Sequence, residues 1–303
     1  MRIIRQLMLV AILLMTSSLL APAAAKPKKL IVVTVTSGFR HSSIATAEVV
    51  LSKLAAQSGA FTVDFVRQPA NEPSAPHKPA LPKNPTAADQ TTFKDAEAAF
   101  PALMKAYETK HADWVKLQAE ALKKLSAESL KAYDGVIFAN TTGDLPLPDN
   151  QAFIDWIRSG KAFIGMHSAS DTFHGFRPYV EALGSEFLTH GAQATVECLN
   201  QDPKHPACAP LEKSWKIHDE IYIMKSFERP RVHGLLTLDK HPNTNAAGDY
   251  PIAWCRQVGK GRVFYTSLGH REDVWENPLY QKHILGGIQW ALKQAKGTIH
   301  HAP

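Results

Sequence analysis

Three histidines and three carboxylates in this chain stand where the backbone could bring them to one place. His167 lies in Gly165-Met166-His167-Ser168-Ala169-Ser170-Asp171, directly after the apolar run 162–164. A short buried strand that ends in a small-residue turn before a helix lifts its turn residue out of the sheet. In hydrolases and amidotransferases that turn reads Gly-x-nucleophile-x-Gly. Here histidine holds the nucleophile position and Ala169 stands for the second glycine, so the turn offers neither serine nor cysteine. His41 follows another apolar run, 30–36, and His270 follows a third, 262–266. Two chemistries could use such a set. Neutral imidazoles ligate zinc and related divalent ions, with a carboxylate often added, here from Asp171, Asp219 or Glu220. Alternatively one histidine acts as base and another as acid beside a carbonyl, with Asp171 orienting a ring. A cap on the following helix is an equal reading of Asp171. No His-Glu-x-x-His pattern accompanies the histidines.

These residues need elements to hold them. The run 30–36 is mostly β-branched, as expected of a strand buried on both faces of a parallel sheet. A helix from Ile44 to about Gln57, capped by Ser42 or Ser43, and a second strand at 61–66 complete a β-α-β opening. This predicts a doubly wound α/β fold with a mainly parallel sheet. Further strands are expected at 133–140, 161–165, 232–238, 251–257 and 262–266, with another running through Val196. Helices are expected at 150–159, near 172–179 and from Pro278 to about Lys293. In such a sheet ligands bind beyond the carboxyl ends of the strands, which is where His41, His167 and His270 fall. Residues 68–88 are proline-rich and aperiodic. Residues 95–131 read as one or two polar helices, with Phe100, Leu103, Tyr107, Trp114 and Leu117 as the buried stripe. Together they form an insertion of about 68–131 over the core, a decorative excursion or, alternatively, a lid or partner surface. Trp215, Tyr222, Trp254 and Trp275 could floor a sugar-binding cleft, although most aromatics in such a chain are core.

The chain has 303 residues, 45% hydrophobic and 20% charged, the balance of an ordinary globular protein. Arg2 and Arg5 precede an apolar run, 7–20, and then Ala21-Pro22-Ala23-Ala24-Ala25. This order describes a secretory signal peptide over 1–25, and the run is shorter than the ~20 residues a spanning helix needs. A single domain, 26–303, is therefore expected in the periplasm or outside the cell, without a membrane anchor after cleavage. Losing the leader's two arginines lowers the formal charge from +6 to +4. No basic patch interleaved with aromatics is present, so nucleic acid is not an expected partner. Of the three cysteines, Cys198 and Cys208 bracket a loop that a disulfide could close. Three unpaired thiols, with Cys255 buried, are an equal alternative.

Several ordered motifs resemble one known family. They are Phe39-Arg40-His41, Tyr133-Asp134-Gly135-Val136, Gly165-Met166-His167-Ser168, Asp219-Glu220-x-Tyr222, Pro251-Ile252-Ala253-Trp254 and Gly261-Arg262-Val263-Phe264-Tyr265-x-x-x-Gly269-His270. The set is similar to the ThuA-like (trehalose utilisation) family and spans roughly 29–293 apart from the insertion. The resemblance implies a class I glutamine amidotransferase-like, flavodoxin-like fold. It places His167 where amidotransferases carry cysteine, and His270 as the counterpart of their later histidine. Glutaminase chemistry needs a thiolate, so that activity is not expected. What the resemblance implies instead is action on a small carbohydrate, a disaccharide or a 3-keto-glycoside, by hydrolysis, elimination or isomerisation. His167, His270, Asp171 and Glu220 would be catalytic, and His41, Arg40, Asp219, Tyr222 and Trp254 would hold the sugar. A divalent metal such as zinc on His41, His167 and His270 is a further expectation. A non-catalytic carbohydrate-binding or accessory protein on the same scaffold is the alternative.

Overall fold

A computed structural model describes residues 26–298. The leader expected at 1–25 lies outside the described residues. The chain opens with strand β1 (Lys28–Val33), helix α1 (Ile44–Ser58) and strand β2 (Phe61–Val66). An extended segment leads to the long helix α2 (Ala87–Leu122) and the short α3 (Ala127–Leu130). Strand β3 (Gly135–Ala139), helix α4 (Asn150–Arg158), strand β4 (Ala162–Met166) and helix α5 (Arg177–Leu183) follow. Next come β5 (Glu186–His190), β6 (Ala194–Asn200), β7 (Ser214–Asp219) and β8 (Tyr222–Lys225). Strands β9 (His233–Lys240), β10 (Ala247–Val258) and β11 (Gly261–Thr266) and helices α6 (Glu272–Glu276) and α7 (Pro278–Ala291) close the chain.

Nine strands form one sheet in the order β2-β1-β3-β4-β11-β10-β9-β6-β7, and β5 pairs with β8 beside it. From β2 to β11 the pairing is parallel. The expected doubly wound α/β core is therefore present. Beyond β11 the sheet continues through four antiparallel strands. Alternation along the buried strands sorts side chains into two layers. Leu30, Val32, Ile137, Ile164 and Phe264 pack with Leu51 of α1 and Ile284 and Ile288 of α7. Their neighbours Ile31, Val33, Val136, Phe138, Phe163 and Tyr265 pack with Phe153 and Ile157 of α4 and with Tyr179 of α5. Both faces are covered, which is why these strands read as unbroken apolar runs.

Two expected details change. The helix after β4 begins at Arg177, because residues 167–171 first make a 3-10 turn. The buried stripe of α2 is shifted: Leu103 and Leu117 are exposed, whereas Trp114, Gln118 and Leu122 are buried. The stripe that keeps helical spacing continues from Trp114 through Gln118, a polar residue that an apolar template passes over. Gln118 donates through Nε2 to the Thr36 carbonyl (2.8 Å). Trp114 points its indole N–H at the Pro69 carbonyl (3.4 Å). The C-terminal part of α2 is thus anchored beside the loop that follows β1. All three cysteines are free and buried. The loop between Cys198 and Cys208 is closed instead by Asn200, whose amide donates to the carbonyls of Cys208, Leu211 and Glu212. None of the described helices is long and apolar enough to cross a membrane.

Candidate active site

The site is built at the carboxyl ends of β1, β4 and β11. His167, directly after β4, has φ +48°. This left-handed conformation is unusual for a residue with a side chain and costs of order 1–3 kcal/mol unless its surroundings hold it. Here they do. The Tyr265 hydroxyl donates to the His167 carbonyl (2.7 Å), and the Tyr179 hydroxyl donates to the Ala169 carbonyl (2.7 Å). Asn140, at the end of β3, donates to Ser43 Oγ and to the Gly269 carbonyl, so three strand-end loops are tied together. Gly269 itself has φ +119°, and a Cβ there would come within 2.8 Å of the Tyr280 hydroxyl. Glycine is required at the step that delivers His270.

Four side chains converge. His167 Nε2 is 3.1 Å from His41 Nε2 and 3.7 Å from Glu220 Oε2, and His270 Nδ1 is 3.2 Å from the same Glu220 oxygen. The other carboxylate oxygen of Glu220 is 3.1 Å from His190 Nδ1. His167 Nδ1 lies 2.7 Å from the Ser267 carbonyl. A carbonyl only accepts, so Nδ1 carries the proton and Nε2 presents its lone pair to the cluster.

Burial divides the charge states. It pushes the His41 imidazole down to about 4, helped by His270, and pushes His167 well below the usual histidine range, helped by His41. Both rings are neutral at pH 7. His270 is raised, chiefly by its contact with Glu220. Burial raises the Glu220 carboxyl, but His270, His190 and His41 outweigh it and leave the group lowered.

The cluster faces a cavity of about 350 Å³ lined by Phe39, His41, Asp171, Phe187, His190, Glu220, Tyr222 and His270. This is at the small end of ligand sites, which run from about 300 to 1,000 Å³. The β5–β8 pair contributes Phe187, His190 and Tyr222 to its walls. Asp171 does not cap the following helix, whose N-cap position is Phe176. Its carboxylate is 2.7 Å from His174 Nε2, and His174 Nδ1 is 3.0 Å from Glu186. Burial lowers His174, but these two carboxylates prevail and leave it raised.

The structure thus brings His41, His167, Glu220 and His270 together, with Asp171 and Tyr222 in the same cavity. Three expected sugar contacts lie elsewhere. Trp254 is fully buried, and its indole N–H donates to the Leu183 carbonyl (2.8 Å), because β10 is an inner strand of the sheet. Trp215 and Trp275, grouped with it as a cleft floor, are buried as well. Arg40 turns back along β1 and donates to the Thr34 carbonyl (2.8 Å). Asp219 is also fully buried, its Oδ2 accepting from the Gly269 N–H (2.7 Å), and burial pushes its carboxyl up to about 7. It braces the turn that carries His270. Phe39, Phe187, His174 and His190 were not among the expected site residues. Only Phe39 had a signal, as the neighbour of His41 in a motif, since the others enter the site through the β5–β8 pair or a loop contact.

The site and sheet together define an amidotransferase-like α/β protein whose elbow carries histidine. Residues 86–291 match the family described as trehalose utilisation, ThuA, and the chain belongs to that family. The match includes α2, so from residue 86 onward it runs through the segment set apart above as an insertion. A ThuA-like protein from Parabacteroides merdae superposes with a TM-score of 0.63 at 18% identity, covering 90% of this chain and 93% of that one. A second, from Bacteroides uniformis, gives 0.60 at 17% identity, covering 91% and 96%. At these identities the likeness establishes the fold. No curated protein matches the sequence.

Proposed function

We propose that this chain is an exported carbohydrate enzyme acting on a disaccharide or 3-keto-glycoside. Family membership supports a carbohydrate-related role, and the leader read in the sequence supports export. The observation that carries the reaction class is a single small cavity combining aromatic walls, a histidine–glutamate pole and a separate carboxylate. Phe39 and Phe187 offer faces for the C–H side of a sugar ring. The pole of His41, His167, Glu220 and His270 receives the keto oxygen. Asp171 removes the neighbouring acidic proton, with His174 hydrogen-bonded behind it to share the charge. The enolate re-forms the ketone as C1=C2 forms and the C1–O bond breaks, and the leaving glycosidic oxygen takes the proton held on Asp171, which completes an elimination. The elbow holds no thiol, so a glutaminase thioester cannot form there.

The test is a turnover assay on purified protein with 3-keto-glucosides of trehalose type beside the unoxidised disaccharides. Release of the aglycone sugar is expected from the keto substrates, and Asp171→Asn should lower kcat by 100-fold or more. Saturable sugar binding without turnover would replace this reading with that of a binding protein.

A further inference from the structure

The geometry points to a divalent transition-metal site of the zinc class, formed by His41, His167, Glu220 and His270 with its exchangeable position toward the cavity. This deepens the carbohydrate reading and rests on it for the ligand that would reach the metal.

The spacing carries the argument. Zinc binds imidazole nitrogen and carboxylate oxygen at about 2.0–2.2 Å, so the ligand atoms of a five-coordinate ion, with four protein ligands and one exchangeable position, lie about 3.0–4.2 Å apart. The separations here are 3.1 Å between the two Nε2 atoms, 3.2 Å from His270 to Glu220 and 3.7 Å from His167 to Glu220. One ligand atom from each of the four residues lies within 4.8 Å of every other. The ring planes agree. His41 stands at 87° to His167 and 87° to His270, and His167 stands at 75° to His270. The three rings are mutually upright with centroids 4.7–5.3 Å apart, so none stacks on another and each keeps one ligand atom in the shared cluster.

Hydrogen bonding behind the cluster is of the supporting kind. The Ser267 carbonyl holds the His167 proton on Nδ1 and leaves Nε2 free to ligate, while His190 steadies the second oxygen of Glu220. Three imidazoles and one carboxylate are a donor set for zinc, or for manganese, iron or cobalt of the same charge. His41, Glu220 and His270 all line the cavity, so the ion would meet a sugar carbonyl or hydroxyl from that side and polarise it.

The decisive measurement uses Zn²⁺ alone. Protein stripped with a chelator and dialysed is titrated with ZnCl₂ by calorimetry, beside elemental analysis of the protein as purified. One equivalent of zinc is expected to bind with sub-micromolar Kd. His270→Ala and Glu220→Gln should each weaken it at least 100-fold. His190→Ala, which keeps all four ligands, should weaken it less than 10-fold. His270 is partly exposed, so its alanine variant is expected to keep the wild-type circular dichroism spectrum, and Glu220→Gln serves as the second check on folding. Zinc binding that survives both ligand substitutions, or no binding of any first-row divalent ion, overturns the proposal. Keto-glycoside turnover that persists in metal-free protein overturns the ion's part in the reaction while leaving the proposed reaction standing. Stoichiometric zinc without turnover on any sugar leaves the site standing and removes the reaction.

Discussion

At the scale of single residues, the same side-chain type does different work according to where the fold puts it. Fourteen histidines are present, and among the described residues only those brought past the strand ends join the cluster. Tryptophan shows the converse. Trp254 lies in one of the motifs that carry the family resemblance, yet it is a core residue that locks α5 to β10 through the Leu183 carbonyl. Trp254→Phe removes that donor and leaves a void between Phe227 and Tyr265. Loss of about 2 kcal/mol of stability is expected in urea unfolding, from the missing buried hydrogen bond and the lost contacts. Zinc affinity should stay unchanged. An unaltered unfolding midpoint with weakened ligand binding would return Trp254 to the site.

At the scale of elements, close approach matters as much as apolar pattern. Helix α7 reads as an amphipathic helix, but its glycines reveal what it packs against. A Cβ at Gly286 would lie 2.1 Å from the Pro206 carbonyl oxygen and 2.7 Å from the Ala207 nitrogen. Both are backbone atoms, so no side-chain rotation relieves the clash. His283, one turn earlier, donates from Nδ1 to the Ala207 carbonyl (2.8 Å) and fixes the same loop to the helix. Gly286→Ala is therefore expected to cost about 2–3 kcal/mol despite alanine's higher helix propensity. A stability gain in the same urea experiment would show that the loop yields. The α2 stripe teaches a related lesson, since its buried Gln118 is explained by a strand-end carbonyl and not by periodicity.

At the scale of the whole molecule, buried neutral histidines outside the cluster set its response to acid. Burial pushes His283 down to about 4 and His205 down to about 3. Below the ordinary histidine range the unfolded chain takes up protons that the native rings refuse. Stability conferred by His283 is thus complete above about pH 6.5 and lost as pH falls to 4, a loss on the order of 3 kcal/mol. Asp219 works in the opposite sense, because burial raises its carboxyl to about 7 and favours the native state at lower pH. The difference between wild type and His283→Phe isolates the histidine. Between pH 6.5 and 4 the wild type should lose stability more steeply than the variant in urea titrations at fixed ionic strength. Parallel pH profiles would refute the assignment.

The sequence by itself determined the alternation of strands and helices, the placing of His41, His167 and His270 after apolar runs, and the absence of a thiol at the elbow. Those are local properties: β-branched runs, turn composition and residue identity can be read without knowing what lies across the fold. Only the tertiary structure decided that Glu220 joins the three histidines, that Asp171 pairs with His174, and that Asp219 and Trp254 are internal. Apart from the local Asp171–His174 pair, these depend on contacts made over long sequence separations, such as Glu220 with His270 or Trp254 with Leu183. The antiparallel half of the sheet and the β5–β8 pair create those contacts. Their register is set by packing of the assembled core, and a strand shifted by one residue would turn a ligand away from the cavity and a core side chain into it.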